Sequence, residues 1–122
     1  MAYSIDASEI YADWFSELSE AEQIDVDAIV GLLKEKGPIL GHPYSSGIEQ
    51  SKYSHMRELR IQHKGRPYRV LYAFDPRRAA ILLVGGDKTG DGRWYDKFVP
   101  VADKLYASHI AKLRSKKKGT IK

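Results

Sequence analysis

Residues 56–74, MRELRIQHKGRPYRVLYAF, decide the fold. Apolar and polar side chains alternate on both sides of Lys64-Gly65, the period-two pattern of strands with one covered face. Leu59 and Ile61 fall on one face, Glu58 and Arg60 on the other; beyond the turn, Tyr68, Val70 and Tyr72 share a face and Arg69 and Leu71 oppose them. A two-residue connection ending in glycine predicts a tight hairpin. Closing it at Lys64-Gly65 sets Leu59 beside Val70 and Ile61 beside Tyr68, and on the other face Arg60 directly across from Arg69. Like charges so opposed cost some tenths to about 1 kcal/mol. Either Glu58, two residues along the same face, neutralises one arginine, or the pair is kept for an anion that two guanidiniums grip together.

Downstream, Asp75-Pro-Arg-Arg78 predicts a four-residue turn, and AAILLVGG (79–86) a strand apolar on both faces, hence central or well covered. That turn would set Val84 beside Arg69. The strand then exits through VGGDKTGDGRWYDKF (84–98), whose glycines read as tight turns. A phosphate loop of the G-x-x-x-x-G-K-[ST] type is excluded, because Asp87 and not glycine precedes Lys88. A last helix begins between Trp94 and Pro100, with Phe98, Ala102, Leu105, Tyr106 and Leu113 as its apolar stripe.

Upstream, Tyr3–Ile5 is a candidate short strand. Asp6-x-x-Glu9 and Ser19-x-x-Glu22 are both capping-box patterns. The first opens a helix with Ile10, Trp14 and Leu18 on one side; the second opens one with Val26, Ile29, Val30 and Leu33 at helical spacing, stopped by Gly37-Pro38. Leu40 to Tyr53 reads as loop, punctuated by Gly41, Pro43, Ser45, Ser46 and Gly47. The predicted class is α+β: an N-terminal helical hairpin packed on a small, mostly antiparallel twisted sheet, with a C-terminal helix. Residues 1–115 form one domain, and 116–122 a basic, flexible tail.

With 43% apolar and 30% charged residues in 122, the chain has the makeup of a soluble globular protein. It has no cysteine, which excludes disulfides, zinc–thiolate sites and a thiol nucleophile and fits a reducing cytoplasm. No apolar run nears the roughly 18 residues of a membrane span, and the N-terminus lacks the pattern of a signal peptide. Charge is divided along the chain. Residues 1–50 carry two basic against ten acidic side chains, and residues 51–122 eighteen against six. An acidic first part and a basic second part suggest a polyanion partner for the latter, or simply helices with acidic outer faces.

Arg60, Arg69, Lys88 and Arg93 with Trp94 and Tyr95 have the parts of an RNA site, cations for phosphates and rings for unstacked bases. The competing reading of Trp94 and Tyr95 is core packing against the last helix, which is favoured for Trp94 and disfavoured for Tyr95. Arg57, Lys64 and Arg66 add basic side chains around the hairpin. Cleaving RNA would require a deprotonated 2′-hydroxyl, a stabilised phosphorane and a protonated leaving 5′-oxygen. Arginines meet the second need. Tyr95 or Lys88 would act as base or acid, each with an ordinary pKa near 10 that neighbouring cations would lower. His63 has the better-tuned pKa but falls on the core-side face, and His42, His55 and His109 show no ligand spacing. No carboxylate cluster suited to Mg²⁺ appears, so the expected site uses no metal or other cofactor.

The segments LLKEKGPILGHPY, MRELRIQHKGRPYRVLYAFDPRR and ILLVGGDKTGDGRWYDKFVPVADKLYASHI resemble, in order and spacing, the RelE/HigB superfamily of toxins from type II toxin–antitoxin systems, in its phage Gp49-like, HigB-type branch. The resemblance runs from about Tyr11 to Ile110. It implies a microRNase-like fold and a metal-independent, ribosome-dependent endoribonuclease that cuts translated mRNA. Arg69 would stabilise the transition state, Arg60 would be the basic residue of the preceding strand, Arg93 and Tyr95 would be late catalytic or stacking residues, and Lys88 a phosphate contact. Implied partners are a cognate antitoxin of helix-turn-helix type, the 70S ribosome and mRNA, in the cytoplasm and with no membrane. ParE-like relatives share the fold but inhibit DNA gyrase, so gyrase inhibition is the competing reading. A plain nucleic-acid-binding module is a third.

Overall fold

In the computed structural model of the chain, residues 2–121 are described, with side chains described as far as Lys116. The elements are β1 (Ile5–Ala7), α1 (Glu9–Ser16), α2 (Glu20–Lys36) with a 3₁₀ turn at Gly37–Ile39, β2 (Ser45–Gly47), β3 (Arg57–His63), β4 (Arg66–Phe74), β5 (Ala80–Asp87) and α3 (Trp94–Ile121). Five strands form one sheet in the order β1-β5-β4-β3-β2; β1 runs parallel to β5 and the other pairs are antiparallel. Helices α1 and α2 cover one face, over Leu59, Ile61, Tyr68, Val70 and Tyr72. Helix α3 covers the other, over Leu71, Ala73, Ile81, Leu83 and Val84.

The β3–β4 hairpin has the predicted register, including Leu59 opposite Val70 and Arg60 opposite Arg69. Its turn residues Lys64 and Gly65 have φ of 50° and 78°. Positive φ at both central positions matches the turn to the right-handed twist of the strands.

The second hairpin departs from expectation. Its turn has five residues, because Phe74 pairs with Ala80, and Arg78 takes a left-handed φ of 67°. The Asp75 carboxylate holds this turn, accepting from the N–H groups of Arg77 and Ala79. A bulge follows: Tyr72 pairs with Leu82 but Leu71 with Val84, leaving Leu83 as the extra residue. Arg69 therefore lies opposite Gly86, not Val84.

At the N-terminus Asp6 is not a helix cap but part of β1, paired with Ile81. Ser8 caps α1 instead, accepting from Tyr11 N–H at 3.0 Å while its hydroxyl donates to Leu83 O at 2.6 Å. The stripe that packs on the sheet is Tyr11, Trp14, Phe15 and Leu18, at i, i+3, i+4 and i+7, and does not include Ile10. Tyr11 is buried and Ile10 is 46% exposed. The Ser19/Glu22 capping box on α2 is present as read. Strand β2 lies inside the stretch read as loop; Ser45, fully buried, shares a 2.6 Å hydrogen bond with Tyr72. Helix α3 starts at Trp94, which puts Pro100 in its second turn, exposed to solvent. The backbone of α3 runs on through the segment expected to be a flexible tail; the side chains of 117–122 lie outside the described residues.

Candidate functional site

Alternation along β3 and β4 sends Glu58, Arg60 and Arg69 to the face that α3 covers, and the first turn of α3 closes over them with Tyr95. Glu58 is the hub. Its Oε1 accepts from the Tyr95 hydroxyl at 2.5 Å and lies 3.4 Å from Arg69 Nε, while its Oε2 lies 3.7 Å from Arg60 Nη1. Arg69 also donates from Nη1 to its neighbour's carbonyl, Tyr68 O, at 3.0 Å. The Arg69 and Glu58 side chains are only 5% and 6% exposed, whereas Arg60 is 39% exposed. The cluster thus runs from a buried pair to an open arginine at the surface.

Both readings of the opposed arginines meet in this geometry. Glu58 offsets their repulsion, yet its 3.4 Å and 3.7 Å separations are ion pairs and not close forked hydrogen bonds. Arg69 Nε is shielded from solvent and has no aligned acceptor. A buried guanidinium N–H without a partner is costly and keeps binding capacity for an anion.

Burial pushes the Tyr95 phenol above its ordinary pKa, and the bond to the Glu58 carboxylate pushes the same way; Arg69 opposes them and loses. The expectation that nearby cations would lower it is reversed. The raised value keeps the phenol protonated at neutral pH, where its hydroxyl donates to Glu58.

The loop after β5 does reach this end of the sheet. Lys88 N–H donates to Pro67 O at 3.0 Å, and the Lys88 ammonium stands 5.5 Å from the centre of the Tyr95 ring. Gly85 and Gly86 are strand residues, not turn residues, and a Cβ on either would collide with an indole: Trp14 from α1 at Gly85, Trp94 from α3 at Gly86. Within the loop only Gly90 needs its freedom, with φ of 70°.

Several predicted site residues lie elsewhere. Trp94 is 2% exposed and packs over Gly86 and against Phe98, so it has no face to offer a base. Arg93 is 82% exposed and its ion pair is with Asp96 at 3.9 Å, so it stands at the mouth and outside the Glu58 cluster. Arg57 and Arg66 belong to the opposite face. Arg57 Nε donates to Ser45 Oγ, and Arg66 pairs with Asp87 at 3.1 Å and Glu22 at 3.9 Å. Their positions in the alternation, odd on β3 and even on β4, already carried that information. Lys64 is exposed at the hairpin tip. His63 is buried on the core side as expected, its Nδ1 2.6 Å from Asp25. His109 joins Asp75 at 2.8 Å and His55 the Tyr106 hydroxyl at 3.0 Å, both structural contacts. Among the described residues no group of three His, Asp or Glu is placed to hold a metal ion, and no helix is long and apolar enough to cross a membrane.

Comparison with known proteins agrees with this architecture. The family model for phage-derived Gp49-like proteins matches residues 13–107. HigB3 of Mycobacterium tuberculosis, which carries the name of a toxin, is 44% identical over 99 residues, covering 80% of this chain and 85% of HigB3. HigB2 of the same organism, also named as a toxin, is 37% identical over 128 residues, covering 98% of this chain and 63% of HigB2. Among solved structures, a double mutant of Escherichia coli toxin RelE in the free state superposes with a TM-score of 0.58 at 15% identity, over 82% of this chain and 97% of that one. A chain of the M. tuberculosis toxin–antitoxin complex RelBE2 does so with 0.53 at 15%, over 71% and 99%. These two show a common fold. With the sequence relatives and the family match, they establish that the chain belongs to the Gp49-like family, within the RelE/HigB superfamily of toxins from toxin–antitoxin systems.

Proposed function

We propose that the protein is a metal-independent endoribonuclease that cuts mRNA on the translating ribosome, acting in the cytoplasm and held inactive by a cognate antitoxin. The observation that carries the reading is the Arg60–Glu58–Arg69–Tyr95 cluster. It holds, within hydrogen-bond or ion-pair reach of one carboxylate, what transesterification of RNA requires.

In this scheme the scissile phosphate enters between Arg60 and Arg69. Glu58 takes the proton of the 2′-hydroxyl, and the 2′-oxygen attacks phosphorus. The arginines stabilise the charge of the phosphorane. As the bond from phosphorus to the 5′-oxygen breaks, Tyr95 gives that oxygen its proton, leaving a 2′,3′-cyclic phosphate and a 5′-hydroxyl. Glu58 is then neutral and Tyr95 anionic, and the proton returns across the 2.5 Å bond between them. Lys88 and the exposed Arg93 and Lys64 supply contacts to flanking phosphates. The antitoxin is supported by the relatives, since RelBE2 is a toxin–antitoxin complex.

The test is cleavage of mRNA on programmed ribosomes, with naked RNA as control. Wild type should cut only on the ribosome. Arg69→Ala should abolish cutting, and circular dichroism would confirm its fold; because Arg69 is buried, Arg69→Lys serves beside it, keeping the charge but losing the fork. Intact mRNA with folded wild type would sink the proposal and turn attention to gyrase.

A further inference from the structure

Beyond the end of β2, one stretch of sheet edge stays open. Strand β2 pairs with residues 57–59 of β3, and the ladder gains one more bond, from Arg60 N–H to Tyr44 O at 2.9 Å. Alternate residues of an antiparallel strand direct their backbone polar groups to the same side. Gln62 therefore presents its N–H and C=O where β2 no longer runs. Its partner on β4 agrees: Pro67 has no N–H to give, and its carbonyl is bonded to Lys88 on the β5 side. Along this edge lies a groove of about 410 Å³ whose walls include Pro43, Tyr44, Arg60, Gln62, Ile29 and Asp25.

Three features of this groove select an occupant. Tyr44 is 41% exposed and, among the described residues, is the aromatic one of the large apolar side chains left open to solvent. Arg60 borders the groove at the sheet edge and also pairs with Glu58 in the candidate site, so one residue touches both. Asp25, bonded to His63, adds a carboxylate to the lining, which disfavours a phosphate there and favours an uncharged ring.

We propose that the groove binds one unstacked nucleobase of the RNA strand whose neighbouring phosphate is gripped by Arg60 and Arg69, a site that rests on the nuclease reading above. The base stacks on the Tyr44 ring; on its edge an acceptor takes the Gln62 N–H and a donor bonds to the Gln62 C=O. Single-stranded RNA is read in this way, by stacking on a ring and hydrogen bonding at the base edge. Stacking on one aromatic is worth enough to change affinity by about tenfold.

The experiment is a double-mutant cycle in binding and does not depend on cleavage. A fluorescent, 2′-O-methyl single-stranded RNA hexamer, which cannot be cut, is titrated against wild type, Tyr44→Ala and Tyr44→Phe. The titrations are repeated with hexamers abasic at one position, scanned along the strand. Tyr44→Ala should weaken binding about tenfold and Tyr44→Phe should restore it. At one position the abasic hexamer should bind wild type about tenfold more weakly, with no further loss in Tyr44→Ala. Additive losses at every position, equal affinity for wild type and Tyr44→Ala, or no wild-type binding would each overturn the groove. The ribosomal cleavage assay, run in parallel, separates the two ideas. Coupled binding without cleavage keeps the base site and removes the nuclease; cleavage unaffected by Tyr44→Ala, with uncoupled binding, removes the base site alone.

Discussion

Glu58 is the residue on which the site turns. Two arginines and a phenol converge on its carboxylate from three different elements. Glu58→Gln keeps the shape and a hydrogen-bonding oxygen but cannot take up a proton. Ribosomal cleavage should fall at least about 100-fold, the span of a lost general base, with the protein still folded by near-UV circular dichroism. Glu58→Ala should in addition lose stability in a urea titration. It leaves Arg69 buried without its counter-charge, a loss of about 3 kcal/mol. Tyr95 gives a test by pH. Its pKa lies above the ordinary 10.0 because of burial and its bond to Glu58, so deprotonation of Tyr95 should slow cleavage only above pH 10. Tyr95→Phe should be slow at every pH. An activity loss in wild type centred well below pH 10, absent from Tyr95→Phe, would contradict the assignment of Tyr95 as acid.

At the scale of elements, α2 shows how the acidity of the first half of the chain is used. Glu22 closes the capping box with Ser19 and also accepts from the Tyr68 hydroxyl on β4, so one carboxylate finishes a helix and ties it to the sheet. The Tyr68 hydroxyl, the Ser19 N–H and the Ser19 hydroxyl hold the pKa of Glu22 at about 2, against an ordinary 4.5, and Arg66 adds to the effect. The sign follows from the lowered value. The stabilisation is fully present above pH 4.5 and is lost as pH falls towards 2. The stability gap between wild type and Glu22→Gln, from urea titrations, should be constant above pH 4.5 and shrink below it; a gap still constant at pH 2 would refute the link. Ser19→Ala should cost about 1 kcal/mol at neutral pH. Asp25 is committed as well, to His63. An antitoxin docking on this hairpin would therefore meet less free acid than the composition suggests.

The whole molecule is three layers clamped on β5. Gly85 and Gly86 are neighbours in one strand, so they face opposite ways, and each receives an indole, Trp14 from the helical hairpin and Trp94 from α3. A Cβ at Gly85 would come within 2.3 Å of the Trp14 ring. Gly85→Ala should lower stability by about 1–3 kcal/mol through overpacking, measured by urea titration. Gly86→Ala, with the Trp94 ring 2.7 Å away, should also disturb the first turn of α3 and with it Tyr95. Unchanged stability in both variants would show that the helices yield more easily than close packing allows.

The sequence by itself determined the β3–β4 hairpin, the face each of its side chains takes, the α2 cap and stop, and the meeting of Arg60 with Arg69. These follow from local rules: a period of two, a two-residue turn and a capping box act over a few residues and leave their pattern in the chain. The family was legible for a related reason, since the order and spacing of those segments lie along the chain itself, within the span the family model matches. Tertiary structure alone decided the rest. The five-residue turn and the bulge at Leu83 moved Arg69 from Val84 to Gly86, because register beyond a turn depends on how both faces pack. Strand β2 is three residues of Ser-Ser-Gly with no pattern to read, and only the β3 edge gives it a partner. Asp6 and Ser8 offered rival starts for α1, and pairing of Asp6 with β5 settled the choice. The raised pKa of Tyr95 arises from burial against Glu58, far away in sequence. The burial of Trp94 beside an exposed Arg93 follows from how the first turn of α3 lies on the sheet. Charge and hydrogen bonding depend on distance in space, and that distance exists only once the chain has folded.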